Sequence, residues 1–285
     1  SGIINNCSVS GTIAFNTQYT GGLCAYNTGT ISNSTSSATV SNSKYVGGLV
    51  GYTYGGTIKT SSSTGSVSNG LTESYMGGLI GYADASANTF KITDSNSTAT
   101  VSYEYFEDST VVTSYVGGLI GYATCGELTE INGYVDYSHF NGEITVNIDS
   151  SQTYNLITLT SYAGGLVGSS SYIKYSRCFT SGKLNNTVLK DNYVNSCDYY
   201  GHGKNYAYSY IGGLIGSDQS GEYNHIYSNI ETVNNTYLIN YYKAISSSSG
   251  RYSFAYAYSY IGGLIGESSS SIISEAYSAS NINSA

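Results

Sequence analysis

Chemistry in a protein needs titratable or nucleophilic groups held at short range, and this chain offers few such groupings. Its densest acidic cluster is Glu104, Glu107 and Asp108. Paired acids can cleave a glycosidic bond, yet no basic residue lies nearby in sequence, so these three read as solvated loop charges. The histidines, His139, His202 and His225, fall at different points of the repeat described below, and no serine and aspartate join them into a triad. Cys197, Asp198 and His202 have metal-ligand types. However, the five cysteines (Cys7, Cys24, Cys125, Cys178, Cys197) contain no Cys-x-x-Cys, which leaves zinc little support. Gly201-His202-Gly203-Lys204 lacks the upstream glycine and the following Ser/Thr of a phosphate loop. No catalytic residue, no cofactor and no metal is therefore expected. Glycosylation sequons begin at Asn6, Asn33, Asn96, Asn185 and Asn234, no more often than chance allows in so Ser/Thr-rich a chain.

Composition points the same way. Of 285 residues, 18 are acidic and 10 basic, a charged fraction of 10% against the usual ~25%. A net charge of −8 disfavours nucleic acid as a partner. Disorder is disfavoured by 33 Tyr and the absence of Pro. No run approaches the ~18 apolar residues of a membrane-spanning helix. An odd cysteine count leaves the redox compartment unreadable.

What the sequence has instead is a repeat. Tyr-x-Gly-Gly-Leu occurs seven times, with tyrosines Tyr19, Tyr45, Tyr75, Tyr115, Tyr162, Tyr210 and Tyr260 and leucines Leu23, Leu49, Leu79, Leu119, Leu166, Leu214 and Leu264. Cys24, Val50, Ile80, Ile120, Val167, Ile215 or Ile265 follows, and then Gly in six of the seven, Ala25 in the first. A second segment ends at Ile13, Val40, Val67, Val101, Ile144, Leu184, Val233 and Ile282. Six residues earlier stand Cys7, Ser34, Ser61, Ser95, Ser138, Cys178, Tyr227 and Ala276. Ile3, Ile31, Ile58, Ile92 and Ile272 open it. Short alternating runs between Gly, Asn and Ser are strands and turns. A unit of 26 residues cannot bury its own apolar face, but stacked units bury a common one. The expected fold is all-β: a parallel β-helix of about seven coils in a single domain spanning 1–285, with coil motifs at 19–25, 45–51, 75–81, 115–121, 162–168, 210–216 and 260–266. Gly-Gly is expected to supply the φ freedom of a corner that turns Leu and its neighbour inward. Cys7, Cys24 and Cys178 fall in small or apolar columns and are expected to be buried. Cys125 and Cys197 lie in a turn and an insertion, where a disulfide and a free thiol both remain open.

The string Tyr45 to Tyr52, with the Ser/Thr-rich stretch that ends Gly65-Ser66-Val67, resembles the GLUG repeat family, and each coil carries its version. That resemblance implies a parallel β-helix in a secreted or surface-displayed, often adhesin-like, bacterial protein, and no transferable catalytic residues. Departing from the family, the later coils carry long Tyr-rich insertions. Counted from the end of the second segment to the next motif tyrosine, the separation runs 6, 5, 8, 14, 18, 26 and 27 residues, so one corner widens toward the C-terminus. Strand extension into a second sheet is the simpler reading of this growth. Tyr206, Tyr208, Tyr210 and Tyr256, Tyr258, Tyr260 alternate at period two, which predicts two strands with a tyrosine face that stack ring on ring.

Four functions are compared against these features. A structural β-solenoid of an extracellular or cell-surface assembly (filament subunit, stalk or adhesin segment) comes first, with other copies of itself as head-to-tail partner. Ser1 to Ile13 and Ser270 to Ile282 share a repeat phase without polar caps, so the chain is expected either to self-stack or to be an excerpt of a longer array. Surface glycans are the second candidate partner, bound by exposed tyrosine rows that include Tyr206, Tyr208, Tyr256 and Tyr258. A β-helical polysaccharide-degrading enzyme ranks lower. Ice binding ranks low too, because the column Thr12, Thr39, Ser66, Thr100, Glu143, Lys183 is interrupted.

Overall fold

The structure, a computed structural model, describes residues 2–107, 109, 111–126, 130–149, 156–194, 202–242 and 252–284. All their regular elements are β-strands, and every strand pairing is parallel, each strand with its counterpart one coil away. One coil shows the course. Gly56–Lys59, Ser62–Ser63 and Ser66–Asn69 run along one side, Glu73–Gly77 returns, and Ile80–Asp84 closes the turn in a separate seven-stranded sheet. The motif leucines lie directly above one another. The amide of Leu23 donates to the Leu49 carbonyl at 2.9 Å, and the chain of bonds continues through Leu79, Leu119, Leu166 and Leu214 to Leu264 at 2.7–3.0 Å. The motif tyrosines are likewise register partners from Tyr19 to Tyr260. The β-solenoid read from the repeats is the fold.

Gly-Gly works differently from the expectation. None of the glycines of the Gly-Gly-Leu motifs adopts positive φ; they are required by close approach. A Cβ on Gly47 would stand 1.9 Å from the Val50 carbonyl oxygen, and one on Gly48 would stand 2.1 Å from Ser63 Oγ on the opposite wall. The coil is pinched there. The pinch separates one core containing Leu49, Val50, Ile31 and Ile58 from another containing Val40, Val46 and Val67. Leu49 and Val50 both point inward, as expected, and are fully buried, each such burial being worth roughly 1.5–3 kcal/mol.

Left-handed backbone occurs at another corner. Asn6, Asn33, Thr60, Asp94, Tyr137, Arg177, His225 and Glu275, one per coil, have φ between 48° and 56°, a conformation costing roughly 1–2 kcal/mol for an L-residue. The small residue that follows offsets this. Ser34, Ser61, Ser95 and Ser138 each donate Oγ–H to the carbonyl two residues back at 2.7–2.9 Å. Each hydroxyl also accepts the amide of its counterpart in the preceding coil at 3.2–3.3 Å. The small-residue column thereby satisfies amides that the turn removes from the ladder.

Two columns differ from their expected membership. Leu184 pairs with Thr232, not Val233, and Ile226, not Tyr227, pairs with Ala276. A one-residue slip reverses every side chain, so Ile226 and Thr232 are buried while Tyr227 faces out. At the segment's opening, Ile4 and Ile273, not Ile3 and Ile272, align with Ile31 and Tyr223; Ile3 is 79% exposed.

The insertions extend the strands. Outgoing and returning strands lengthen from Thr100–Tyr105 and Val111–Gly117 to Glu222–Tyr242 and Tyr252–Gly262. Between them Tyr103, Tyr105, Ile148, Ile157, Leu159 and Val188 are buried in continuity with the second core. The widening corner is thus a wing whose apolar interior continues the second core.

Candidate functional site: the tyrosine ladders

Parallel register places one tyrosine above the next at the strand spacing. Ring centroids in the motif column are 5.2, 4.9, 4.7, 4.8, 4.7 and 4.9 Å apart from Tyr19 to Tyr260. From Tyr75 onward the planes lie within 9° of parallel. A spacing of about 4.8 Å exceeds the roughly 3.5 Å of touching carbon atoms, so rings in such a ladder close the gap by tilting. Every inner ring has a neighbour on both faces.

A second column, absent from the sequence reading, stands on the other flank of the Gly-Gly-Leu corner. Tyr26, Tyr52, Tyr82 and Tyr122 are register partners with centroids 5.1–5.3 Å apart. Its signal was a tyrosine seven residues after each of the first four motif tyrosines. The two columns meet edge to face. Tyr19–Tyr26, Tyr45–Tyr52, Tyr75–Tyr82 and Tyr115–Tyr122 are 5.1–5.6 Å apart at 66–77°, the arrangement that the ring quadrupole favours. In the later coils Ser169, Ser217 and Glu267 occupy this column.

The inner rings are half-buried, while Tyr26 in the first coil is 47% exposed and Tyr260 in the last 40%. Burial first, and neighbouring phenols with it, pushes the Tyr115, Tyr162 and Tyr210 hydroxyls up to about 12. Two phenols carry their own proton acceptor. Tyr75 donates to Glu73 Oε1 at 2.7 Å, while Lys44 Nζ pairs with Glu73 Oε2 at 2.7 Å. Tyr52 donates to Asp84 Oδ2 at 2.6 Å, and Asp84 Oδ1 accepts the Ser86 amide at 2.8 Å. Both phenols are shifted well upward, chiefly by burial and then by these carboxylates.

In the wing, Tyr206 stacks on Tyr256 at 5.2 Å and Tyr208 on Tyr258 at 5.1 Å. Ala207, Ser209 and Ile211 face inward, so the period-two reading of this strand holds.

The remaining candidates stay apart. Glu104 and Glu107 are exposed, and Asp108 lies outside the described residues. His139 stacks on Phe179 at 4.4 Å, and His225 Nε2 lies 2.7 Å from Glu275 on an open surface. Cys197, Asp198 and the His202 side chain fall outside the described residues. Among the described residues no three His, Cys, Asp or Glu converge. Cys178 is buried as expected, but Cys7 is exposed and Cys24 half-buried, because both stand in the first coil and are covered by a neighbouring coil on one side only. Cys125 is buried as a free thiol, donating to the Tyr172 carbonyl at 3.0 Å. Of the sequon asparagines, Asn6 and Asn33 occupy exposed left-handed corners, Asn96 and Asn185 are half-buried, and the Asn234 side chain lies outside the described residues.

One buried polar group had no signal in the sequence. Asp218 is 3% exposed inside the solenoid. Its Oδ2 accepts the Gly221 amide at 3.0 Å and the Ser271 hydroxyl. Burial pushes its carboxyl up, while those hydrogen bonds pull the other way.

The GLUG motif model matches the chain twice, over residues 16–41 and 42–68. No curated protein and no solved structure matches it. The matched stretches are the first coils of the ladder just described, and the later coils continue their Gly-Gly-Leu in hydrogen-bonded register. The chain is a β-solenoid whose residues 16–68 match the GLUG motif.

Proposed function

We propose that this solenoid is a non-catalytic structural element of an extracellular or cell-surface assembly, extended by docking further coils onto its end faces. The observation that carries this reading is a column that every coil continues, with the motif leucines bonded coil to coil at 2.7–3.0 Å and the motif tyrosines stacked at 4.7–5.2 Å. Ile31, Ile58 and Ile92 are at most 1% exposed, whereas their column partner Ile273 in the last coil is 47% exposed, with Tyr277 at 61% and Ile282 at 42% beside it. On the first coil Phe15 is 64% exposed. Open parallel ladders with apolar columns are templates for another strand layer. That layer is chemically the same whether it belongs to this polypeptide or to a second copy, and head-to-tail contact of this kind does not close. A low charge density with net charge −8 gives weak mutual repulsion.

Sedimentation and electron microscopy test this. The purified chain is expected to form end-to-end oligomers as its concentration rises through the micromolar range. A variant with Ile4→Lys and Ile273→Lys should remain monomeric with an unchanged β circular-dichroism spectrum. Wild-type chains that stay monomeric at all concentrations, with no fibres, would contradict the reading.

A further inference from the structure

The motif tyrosines have an arrangement that packing alone does not use. Coupling of two phenoxyl radicals forms a bond between ring carbons ortho to oxygen. The overlapping orbitals project from the ring faces, so parallel stacked rings are already aligned for it. Tyr75 and Tyr115 are 4.7 Å apart at 5°, Tyr115 and Tyr162 4.8 Å at 3°, and Tyr162 and Tyr210 4.7 Å at 9°. Earlier pairs are less parallel, with Tyr45–Tyr75 at 25°.

Oxidation of a phenol by one electron releases its proton, and Tyr75 has an acceptor in contact, Glu73 at 2.7 Å. Burial works against an ionised Glu73, but the hydrogen bonds from Lys44 and Tyr75 hold its carboxyl below the usual range. Lys44 fixes the carboxylate from the other side at 2.7 Å. Among the described residues, no carboxylate accepts a hydrogen bond from Tyr115, Tyr162 or Tyr210. The ladder therefore contains a preferred point of oxidation next to a preferred point of coupling.

We propose that the motif column is an oxidative cross-linking site, at which a peroxide-driven one-electron oxidant joins tyrosines of successive coils as dityrosine, beginning at Tyr75 and Tyr115. Each phenol gives one electron to the oxidant and one proton to base, Glu73 in the case of Tyr75. The two ring radicals form one carbon–carbon bond, and each ring then shifts its ortho hydrogen to oxygen to restore the phenol. Hydrogen peroxide takes up the two electrons and two protons and leaves as two waters. The product is a covalent staple between neighbouring coils. It forms within one chain, so its test is independent of self-association.

The experiment treats the full chain with a haem peroxidase and hydrogen peroxide, and separately with photoexcited tris(bipyridine)ruthenium and persulfate. Dityrosine fluorescence and peptide mass spectrometry are the readouts. Expected are intrachain links between register partners, with Tyr75–Tyr115 appearing first. Tyr115→Phe, which keeps the stack, should abolish that link and leave Tyr162–Tyr210. Glu73→Gln should remove most of the Tyr75–Tyr115 product at early times while leaving Tyr162–Tyr210 unchanged. Absence of dityrosine, links scattered among tyrosines that are not register partners, or a Glu73→Gln variant indistinguishable from wild type would overturn the proposal.

Discussion

Replacing Gly117 with alanine is expected to destabilise the solenoid by about 4 kcal/mol or more, at the extreme of what a single substitution does. An added Cβ at Gly117 would stand 1.9 Å from the Ile120 carbonyl oxygen and 2.8 Å from the Gly168 amide nitrogen. Both obstacles are backbone, so no rotamer change relieves the clash. The coil above cannot withdraw either, because Gly118 and Leu119 donate to the Gly164 and Leu166 carbonyls at 3.2 and 2.9 Å. Gly2, whose added Cβ would meet nothing within 4 Å, provides the control, and Gly2→Ala should change stability by no more than about 0.5 kcal/mol. Urea unfolding of the two variants followed by circular dichroism measures the difference. Equal midpoints would show that the pinch between the two cores is not rigid.

Phe140→Ala is expected to cost about 3–5 kcal/mol, the usual penalty for emptying a buried phenylalanine site. Phe140 is fully buried and occupies a column that holds Val9 in the first coil and otherwise Ser36, Ser63, Ser97, Thr180, Ser228 and Ser278. Its ring fills the space left by two glycines, since a Cβ on Gly118 would stand 2.2 Å from it and one on Gly142 2.9 Å. The neighbouring coils are hydrogen-bonded above and below, so the site cannot collapse around the smaller side chain. The same unfolding measurement applies. A loss below about 1 kcal/mol would show instead that the coils close over the cavity.

How much of this could be read beforehand depended on whether a coil repeats its residue type. Leu23 to Leu264 and Tyr19 to Tyr260 could be aligned by eye because each level needs the same shape. The small residues from Cys7 to Cys178 were visible, but their work as hydroxyl bridges at a left-handed corner was not, since hydrogen-bond direction leaves no trace in composition. The paired glycines were recognised with the wrong reason: freedom of φ and absence of Cβ are indistinguishable in sequence. Alignment slipped at Val233 because the lengthened strand offers residues compatible with either face, and only the pairing of Leu184 with Thr232 decides. The second tyrosine column escaped notice because it stops at Tyr122. Asp218 escaped because its inward column, Asn27, Thr53, Ala83, Ala123, Ser170 and Ser268, has no single residue type in common. The wing was visible as growing separations, because extending a strand pair requires equal additions on both sides of a turn.

The account rests on coils stacked in one parallel register, and paired cysteines test that register most directly. Ser102 and Thr145 are partners on adjacent coils, both on the outer face. Their Cα atoms are therefore about 4.8 Å apart, inside the roughly 4.4–6.8 Å range of a disulfide. Under mild oxidation, Ser102→Cys with Thr145→Cys should form that bond, located by peptide mapping. Ser102→Cys with Asn147→Cys, displaced two residues along the same strand, should not. A bond in the second pair and none in the first would contradict the stacking on which the cores, the ladders and the end faces all depend.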